Sequence, residues 1–202
     1  EMQRWATLGL DWVVSVNIAA RHFHRPDFVT KLGSILAQYP GVSAHRLELE
    51  ILESAALEDV QHMRHVMADC QQLGVQFALD DFGTGYSSLA YLKRLPVNTL
   101  KIDQSFVRDM LEDPDDLTLV KAVVGLAKAF NRQVIAEGVE TIEHGLLLLQ
   151  LGCDLAQGYG ISRPMPSDKV VDWAAAFVPA KAWQVSGAIQ WEVSDFPLLL
   201  AE

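Results

Sequence analysis

The chain has 202 residues, half of them hydrophobic, and a formal charge of −10. This suits one domain with an appended tail, and it is too apolar for a disordered chain. The acidic balance argues against binding a DNA or RNA polymer, which takes a basic stripe, but bound divalent cations can reverse the local field for a small phosphorylated ligand. No apolar run approaches the roughly 18 residues of a membrane span, and no signal peptide is recognisable. A cytoplasmic location is therefore expected, with an anchor elsewhere in a longer parent left open. Cys70 and Cys153 stand far apart with no zinc spacing, and read as buried thiols in a reducing compartment.

In chain order, β-rich runs fall at 12–18 (WVVSVNI), 46–52 (RLELEIL), 75–81 (VQFALDD), 99–104 (TLKIDQ), 133–139 (QVIAEGV) and 155–160 (LAQGYG). Helix-like stretches lie between them, including one from Asp115 and one from Thr141, residues that suit N-caps. Gly74 and Gly152 sit where helices would close. Strand and helix alternating along the chain predicts an α/β fold with a parallel sheet. No repeat of solenoid length is present.

The faces of the strands are more informative than their number. Val14, Val16 and Ile18 oppose Ser15 and Asn17; Leu47, Leu49 and Ile51 oppose Glu48 and Glu50. Val75, Phe77 and Leu79 oppose Gln76, Ala78 and Asp80, and Leu100 and Ile102 oppose Lys101 and Asp103. An open doubly wound sheet is covered on both faces and reads apolar on both. One apolar and one polar face fits a barrel whose interior holds a site. The later runs are less clean, since Ile135 shares a face with Glu137. A solvated sheet face would also alternate, but it would be rich in Thr and Ser. Asn17, Glu50, Asp80, Lys101, Glu137 and Gln157 instead fall at or past mid-strand, toward the C-terminal ends where barrel sites lie.

Asp80 and Asp81 pose a geometric question, because neighbours in a strand point to opposite faces. They converge only where the strand ends and the chain turns, and Gly83 and Gly85 would supply that turn. Carboxylates meeting at one point repel one another without cations, and hard oxygen ligands suit Mg²⁺, Mn²⁺ or Ca²⁺. Two cations about 3.5–4 Å apart can clamp the attacking and leaving oxygens of a phosphoryl displacement. Asp80 could bridge such a pair with Asp81 beside one ion. Lys101 would stabilise anionic charge or orient the attacking water, or would simply form a salt bridge. The histidines form no HExxH, so zinc is not expected. A Schiff base at Lys101, as in a barrel aldolase, needs a depressed pKa in an apolar pocket; an acid-rich ring would keep the amine protonated.

The segments DDFGTGYSSLAYLKRLPVNTLKIDQSFV, AEGVE and QGYGISRPMP, in this order and spacing, resemble the EAL domain family of bacterial cyclic di-GMP phosphodiesterases. The resemblance covers about 1–177 and leaves 178–202 as an apolar tail expected to dock on the barrel or on a partner domain. It implies a modified (β/α)8 TIM-like barrel and hydrolysis of cyclic di-GMP to linear pGpG with two ions, Mg²⁺ or Mn²⁺. By the same resemblance Asn17, Glu50, Asp80, Asp81 and Glu137 are metal ligands or members of the two-metal site. Lys101 is the lysine near the catalytic water, and Gln157 supports the site. Residues 82–88, including Phe82, Gly83, Thr84 and Gly85, match a mobile loop that couples dimerisation to activity, anchored by Glu53. Asp103, Tyr159, Arg163 and Pro164 are assigned to substrate. A homodimer, flanking sensory or GGDEF domains, and a role in second-messenger signalling are also implied.

The chain departs from the pattern in two places. Leu52 stands where threonine is common, and the Glu-Ala-Leu signature is absent, so the first two strands of the barrel are expected to be missing from this chain. With that segment go a metal-binding glutamate and a neighbouring substrate arginine. Three readings stay open: a truncated chain, an element supplied by another segment, or an inactive cyclic di-GMP receptor. The acidic motifs beyond residue 17 favour an active parent enzyme, although the fragment alone would bind metal weakly.

Overall fold

The computed structural model describes residues 1–85, 89–184 and 198–199, with 89–90 and 198–199 described by backbone alone. In chain order, α1 (Met2–Thr7), β1 (Val14–Asn17), α2 (Phe28–Ala37), β2 (Leu47–Leu52), α3 (Glu53–Glu58) and α4 (Val60–Gln72) lead to β3 (Gln76–Phe82). Then come α5 (Leu89–Leu92), β4 (Thr99–Ile102), α6 (Gln104–Asp109), α7 (Pro114–Ala129) and β5 (Gln133–Ala136). The order closes with α8 (Ile142–Leu151), β6 (Leu155–Ala156), α9 (Ser167–Ala176), α10 (Lys181–Gln184) and β7 (Leu198–Leu199). Among the described residues two compact units emerge, one of 1–79, 89–98 and 198–199, the other of 80–85 and 99–184. β3 passes from the first to the second between Leu79 and Asp80.

In the first unit β1 and β2 are parallel, with Val14 opposite Leu47 and Asn17 opposite Glu50. β7 adds to β1, also parallel, with Val14 opposite Leu198. The helix α4 starts at Asp59, whose carboxylate accepts the His62 N–H at 3.0 Å. Met63, Met67 and Cys70 then recur at helical spacing and are buried. Phe23 packs on Phe28 and Phe77, with ring centroids 4.9 and 6.2 Å away.

In the second unit β4 pairs with β5, and β5 with β6, all parallel. The helix α7 begins two residues earlier than its sequence suggests. Asp113, not Asp115, is the cap and accepts the Asp115 N–H at 2.8 Å. The reason is Pro114, whose fixed φ and missing N–H suit the first helical position. Val120, Val123, Val124 and Ala127 form the buried stripe of α7. Thr141 does cap α8, accepting the His144 N–H, and Gly152 closes it at φ 78°. Near the end of the unit Trp183 donates its indole N–H to the Ile142 carbonyl at 2.9 Å and lies against Gly145, where a Cβ would collide with the ring.

The strands are shorter than the β-rich runs because the residues beyond them turn away to form loops. Asp103 leaves β4 and caps α6, accepting the Ser105 N–H. Gly138 at φ 73° and Gly158 at φ 153° end the extended geometry after β5 and β6. The polar strand face is not a solvated one, since Ser15, Glu48, Glu50 and Lys101 are at most 3% exposed. Ser15 donates its hydroxyl to Glu48 at 2.7 Å. Both cysteines are buried and unpaired, and burial pushes the Cys70 thiol up to about 11 and Cys153 to about 12. Among the described residues no helix is long and apolar enough to cross a membrane.

Candidate functional site

The second unit gathers its acidic residues where β3, β4, β5 and β6 end. Asp80 and Asp81 are the two residues before the last of β3, and Asp81 adopts φ 54°. A left-handed residue breaks the strand alternation, and aspartate tolerates it better than most side chains. The turn therefore starts at Asp81 itself. The Thr84 hydroxyl donates to the Asp81 carbonyl at 2.9 Å and its N–H does so at 3.3 Å. Gly83 follows at φ 105°, close against Phe106 and Leu119.

With the alternation broken, oxygens of Asp80, Asp81 and Glu137 lie within 4.8 Å of one another. Lys101 projects from β4 into this cluster with 2% of its surface exposed. Its ammonium is 2.6 Å from Glu137 Oε1 and 3.1 Å from Asp80 Oδ1. The Gln157 amide donates to the same Glu137 oxygen at 2.6 Å. Asp103 accepts hydrogen bonds from the Ser105 amide and hydroxyl, and it accepts a further one from the Asp81 carboxyl when that group is protonated.

The electrostatics of this group are unbalanced, for the buried Lys101 ammonium pairs with Asp80 and Glu137 while Asp81 lies beside them. Asp81 carries the consequence, with its pKa pushed up to about 6 by burial, then by Asp80, then by its hydrogen bond to Asp103. Burial would raise Asp103 too, but the Ser105 hydrogen bonds outweigh it and leave its carboxyl below the ordinary value. Asp80 Oδ1 is fully buried and has no hydrogen bond of good geometry. Convergent hard oxygens, among them a carboxylate whose pKa burial and the neighbouring Asp80 push up, fit a divalent cation such as Mg²⁺ or Mn²⁺.

The other predicted residues fall elsewhere. Glu50 is buried and sits opposite Asn17, which is exposed. Glu53 opens α3 and is buried. Phe82 is buried, and the final three positions of the 82–88 loop lie outside the described residues. Tyr159 is 59% exposed, with the Arg163 guanidinium 4.6 Å over its ring, and Pro164 is exposed nearby in sequence. Most of the 178–202 tail beyond Gln184 also lies outside the described residues.

The sequence reading missed the locks behind the site. The Gln157 N–H donates to the Ala136 carbonyl, the Val139 N–H to the Gln157 carbonyl and the Gly160 N–H to the Val139 carbonyl, at 2.8–3.0 Å. A Cβ at Gly158 or Gly160 would run into the Val139–Glu140 backbone. The glycines of AEGVE and QGYG were visible in the sequence, but nothing in either motif says that the two loops touch.

The class is thus an α/β domain of parallel strands carrying an acidic, lysine-centred site at the strand ends. The chain belongs to the EAL domain family, whose model matches residues 1–164. It is 38% identical over 172 residues to the bifunctional diguanylate cyclase/cyclic di-GMP phosphodiesterase MucR of Pseudomonas aeruginosa, covering 85% of this chain and 25% of MucR. The MucR phosphodiesterase, solved as a cyclic di-GMP complex, superposes with a TM-score of 0.80 at 38% identity, covering 84% of this chain and 68% of that one. The EAL domain of Mycobacterium smegmatis DcpA gives 0.81 at 40% identity, over 88% of this chain and 81% of that one. BlrP1 of Klebsiella pneumoniae, in a manganese and cyclic di-GMP complex, gives 0.73 at 30% identity, over 81% of this chain and 42% of that one. The fold class is accordingly the TIM-like barrel class of EAL domains. The chain spans about a quarter of the length of the curated relatives it matches.

Proposed function

We propose that this chain carries the hydrolytic site of a cyclic di-GMP phosphodiesterase, which opens one phosphodiester of the ring to give linear pGpG with the aid of two Mg²⁺ or Mn²⁺ ions. The observation that carries the reading is the convergence of Asp80, Asp81 and Glu137 around a buried Lys101. Those three carboxylates would hold the ions, and the family resemblance assigns Asn17 and Glu50 to metal as well. When bound, the ions would polarise the phosphoryl oxygens and lower the pKa of a coordinated water.

The chain's own groups set the geometry. Gln157 holds Glu137 by the oxygen that Lys101 also contacts, which fixes the carboxylate's orientation. Lys101, held between Asp80 and Glu137, would stabilise anionic charge on a phosphoryl oxygen or orient the attacking water. In the reaction the water oxygen bonds to phosphorus, the bond from phosphorus to the 3′ oxygen breaks, and that oxygen takes up a proton. Asp103, Tyr159, Arg163 and Pro164 would contact the dinucleotide, the exposed Tyr159 ring offering a face for a base. Dimerisation through 82–88 with Glu53, docking of the 178–202 tail, flanking sensory or GGDEF domains and a cytoplasmic location complete the proposal.

The test uses the parent polypeptide that contains this chain. It is incubated with cyclic di-GMP and Mn²⁺ or Mg²⁺, pGpG is followed by chromatography, and Asp80→Asn is run in parallel. Metal-dependent product that the variant loses is the expected outcome. No product with cyclic di-GMP still bound would make the protein a receptor.

A further inference from the structure

His144 belongs to none of the motifs above, yet it is 5% exposed and both ring nitrogens are engaged. Nδ1 accepts the Glu140 N–H at 3.3 Å, and Nε2 lies 3.1 Å from the Arg108 carbonyl. A carbonyl only accepts, so the proton sits on Nε2 and Nδ1 keeps the lone pair that receives Glu140. The imidazole thus joins two segments from behind. One is the 137–140 loop, which begins with Glu137. The other is the C-terminal end of α6, whose N-cap Asp103 is hydrogen-bonded to Asp81.

The hydrogen bonds of the 137–140 loop show what this joint contributes. The Glu137 N–H donates to the Ile102 carbonyl at 3.2 Å, and the Val139 N–H to Gln157 at 3.0 Å. The Glu140 N–H goes to His144. The first two bonds tie the loop to its neighbouring strand ends. The third ties it, through His144, to the C-terminal end of the helix that follows β4, whose first residue, Gln104, also lies against Gly138. His144 in turn is held by its own backbone N–H on the Thr141 hydroxyl at 3.3 Å, at the start of α8.

We propose that His144 is a positioning residue, a neutral imidazole that sets the separation between the Glu137 loop and the Asp81–Asp103 pair and thereby the spacing of the carboxylates. The inference rests on the proposed metal site for its functional meaning, but its structural part stands without it. Removing a hydrogen bond made directly to a metal ligand typically lowers metal affinity about 10–100-fold, and His144 acts one bond further out, so the lower end of that range is expected.

The test compares wild type with His144→Phe, His144→Gln and Val120→Ala, a core truncation in α7 that serves as a control for lost stability. Mn²⁺ affinity is read by electron paramagnetic resonance, and exchange of the Val139 amide and the Gln157 side-chain amide by NMR without metal. His144→Phe is expected to weaken Mn²⁺ binding about tenfold or more and to speed exchange at both groups, neither of which bonds to His144. His144→Gln, which keeps an acceptor and a donor, should restore most of both. Val120→Ala should lower the melting temperature and leave Mn²⁺ affinity at the wild-type value. Unchanged exchange at Val139 and Gln157 in His144→Phe overturns the inference, as does equal weakening of Mn²⁺ binding by Val120→Ala. Asp80→Asn separates the two claims. If it binds Mn²⁺ as wild type does, the metal reading fails, and the exchange data alone decide the role of His144.

Discussion

Lys101 is a buried cation whose value depends on what else is charged around it. Removing one member of a buried ion-pair cluster typically costs about 3–5 kcal/mol, because the charges left behind have no compensation. Lys101→Met should therefore unfold at markedly lower denaturant concentration when metal is chelated. Saturating Mn²⁺ should recover much of the loss, since a cation among Asp80, Asp81 and Glu137 compensates the same charges. Equal destabilisation with and without Mn²⁺, measured by urea titration, would mean that the ion does not share the lysine's partners.

Asp81 sets a pH dependence whose direction follows from its shift. Its pKa rises from 3.8 in an unperturbed chain to about 6 in the fold, so between those values the folded state holds the extra proton. Stability then falls as pH rises through this window in metal-free protein. Subtracting the profile of Asp81→Asn from that of wild type should isolate a decline between about pH 4 and 6. Mn²⁺ binding should show the opposite trend and weaken below about pH 6, because proton and metal compete for the carboxylate. A flat difference profile would remove the repulsion that the site geometry implies.

At the scale of elements, the loops after β5 and β6 act as one piece because glycine lets their backbones touch. The helix α8 uses glycine in the same way on its outer side, where Gly145 admits the Trp183 ring. Trp183 is 7% exposed and also holds the Ile142 carbonyl. Truncating such a residue typically costs about 3–5 kcal/mol. Trp183→Ala should lower the stability of the second unit by an amount in that range, read by thermal unfolding. A loss below about 0.5 kcal/mol, the size expected for a surface change, would mean that α10 does not dock in solution.

At the scale of the molecule, a ligand that binds only the folded state stabilises it by mass action, about 2.7 kcal/mol at 100 times its dissociation constant. Titrating Mn²⁺ into the metal-free protein should raise the melting temperature steadily, chelator should reverse it, and Asp80→Asn should abolish the shift. A shift that survives in Asp80→Asn would place the ion elsewhere.

The sequence by itself determined the order of strands β1 to β6, the apolar and polar faces of the earlier strands and the EAL family, while β7 at Leu198–Leu199 escaped it. These are local or periodic properties, and a strand's alternation is fixed by its own backbone. Asp80, Lys101, Glu137 and Gln157 could be picked out because each lies near the C-terminal end of a polar-faced run. What only the tertiary structure decided is how these groups meet. The left-handed turn at Asp81, the shared Glu137 oxygen, the Asp81–Asp103 hydrogen bond and the clasp at His144 all join residues distant in the chain or depend on a φ value. Pattern and spacing report which faces are buried; they carry no information on which buried groups touch, since that depends on packing between elements and on the low-dielectric field it creates.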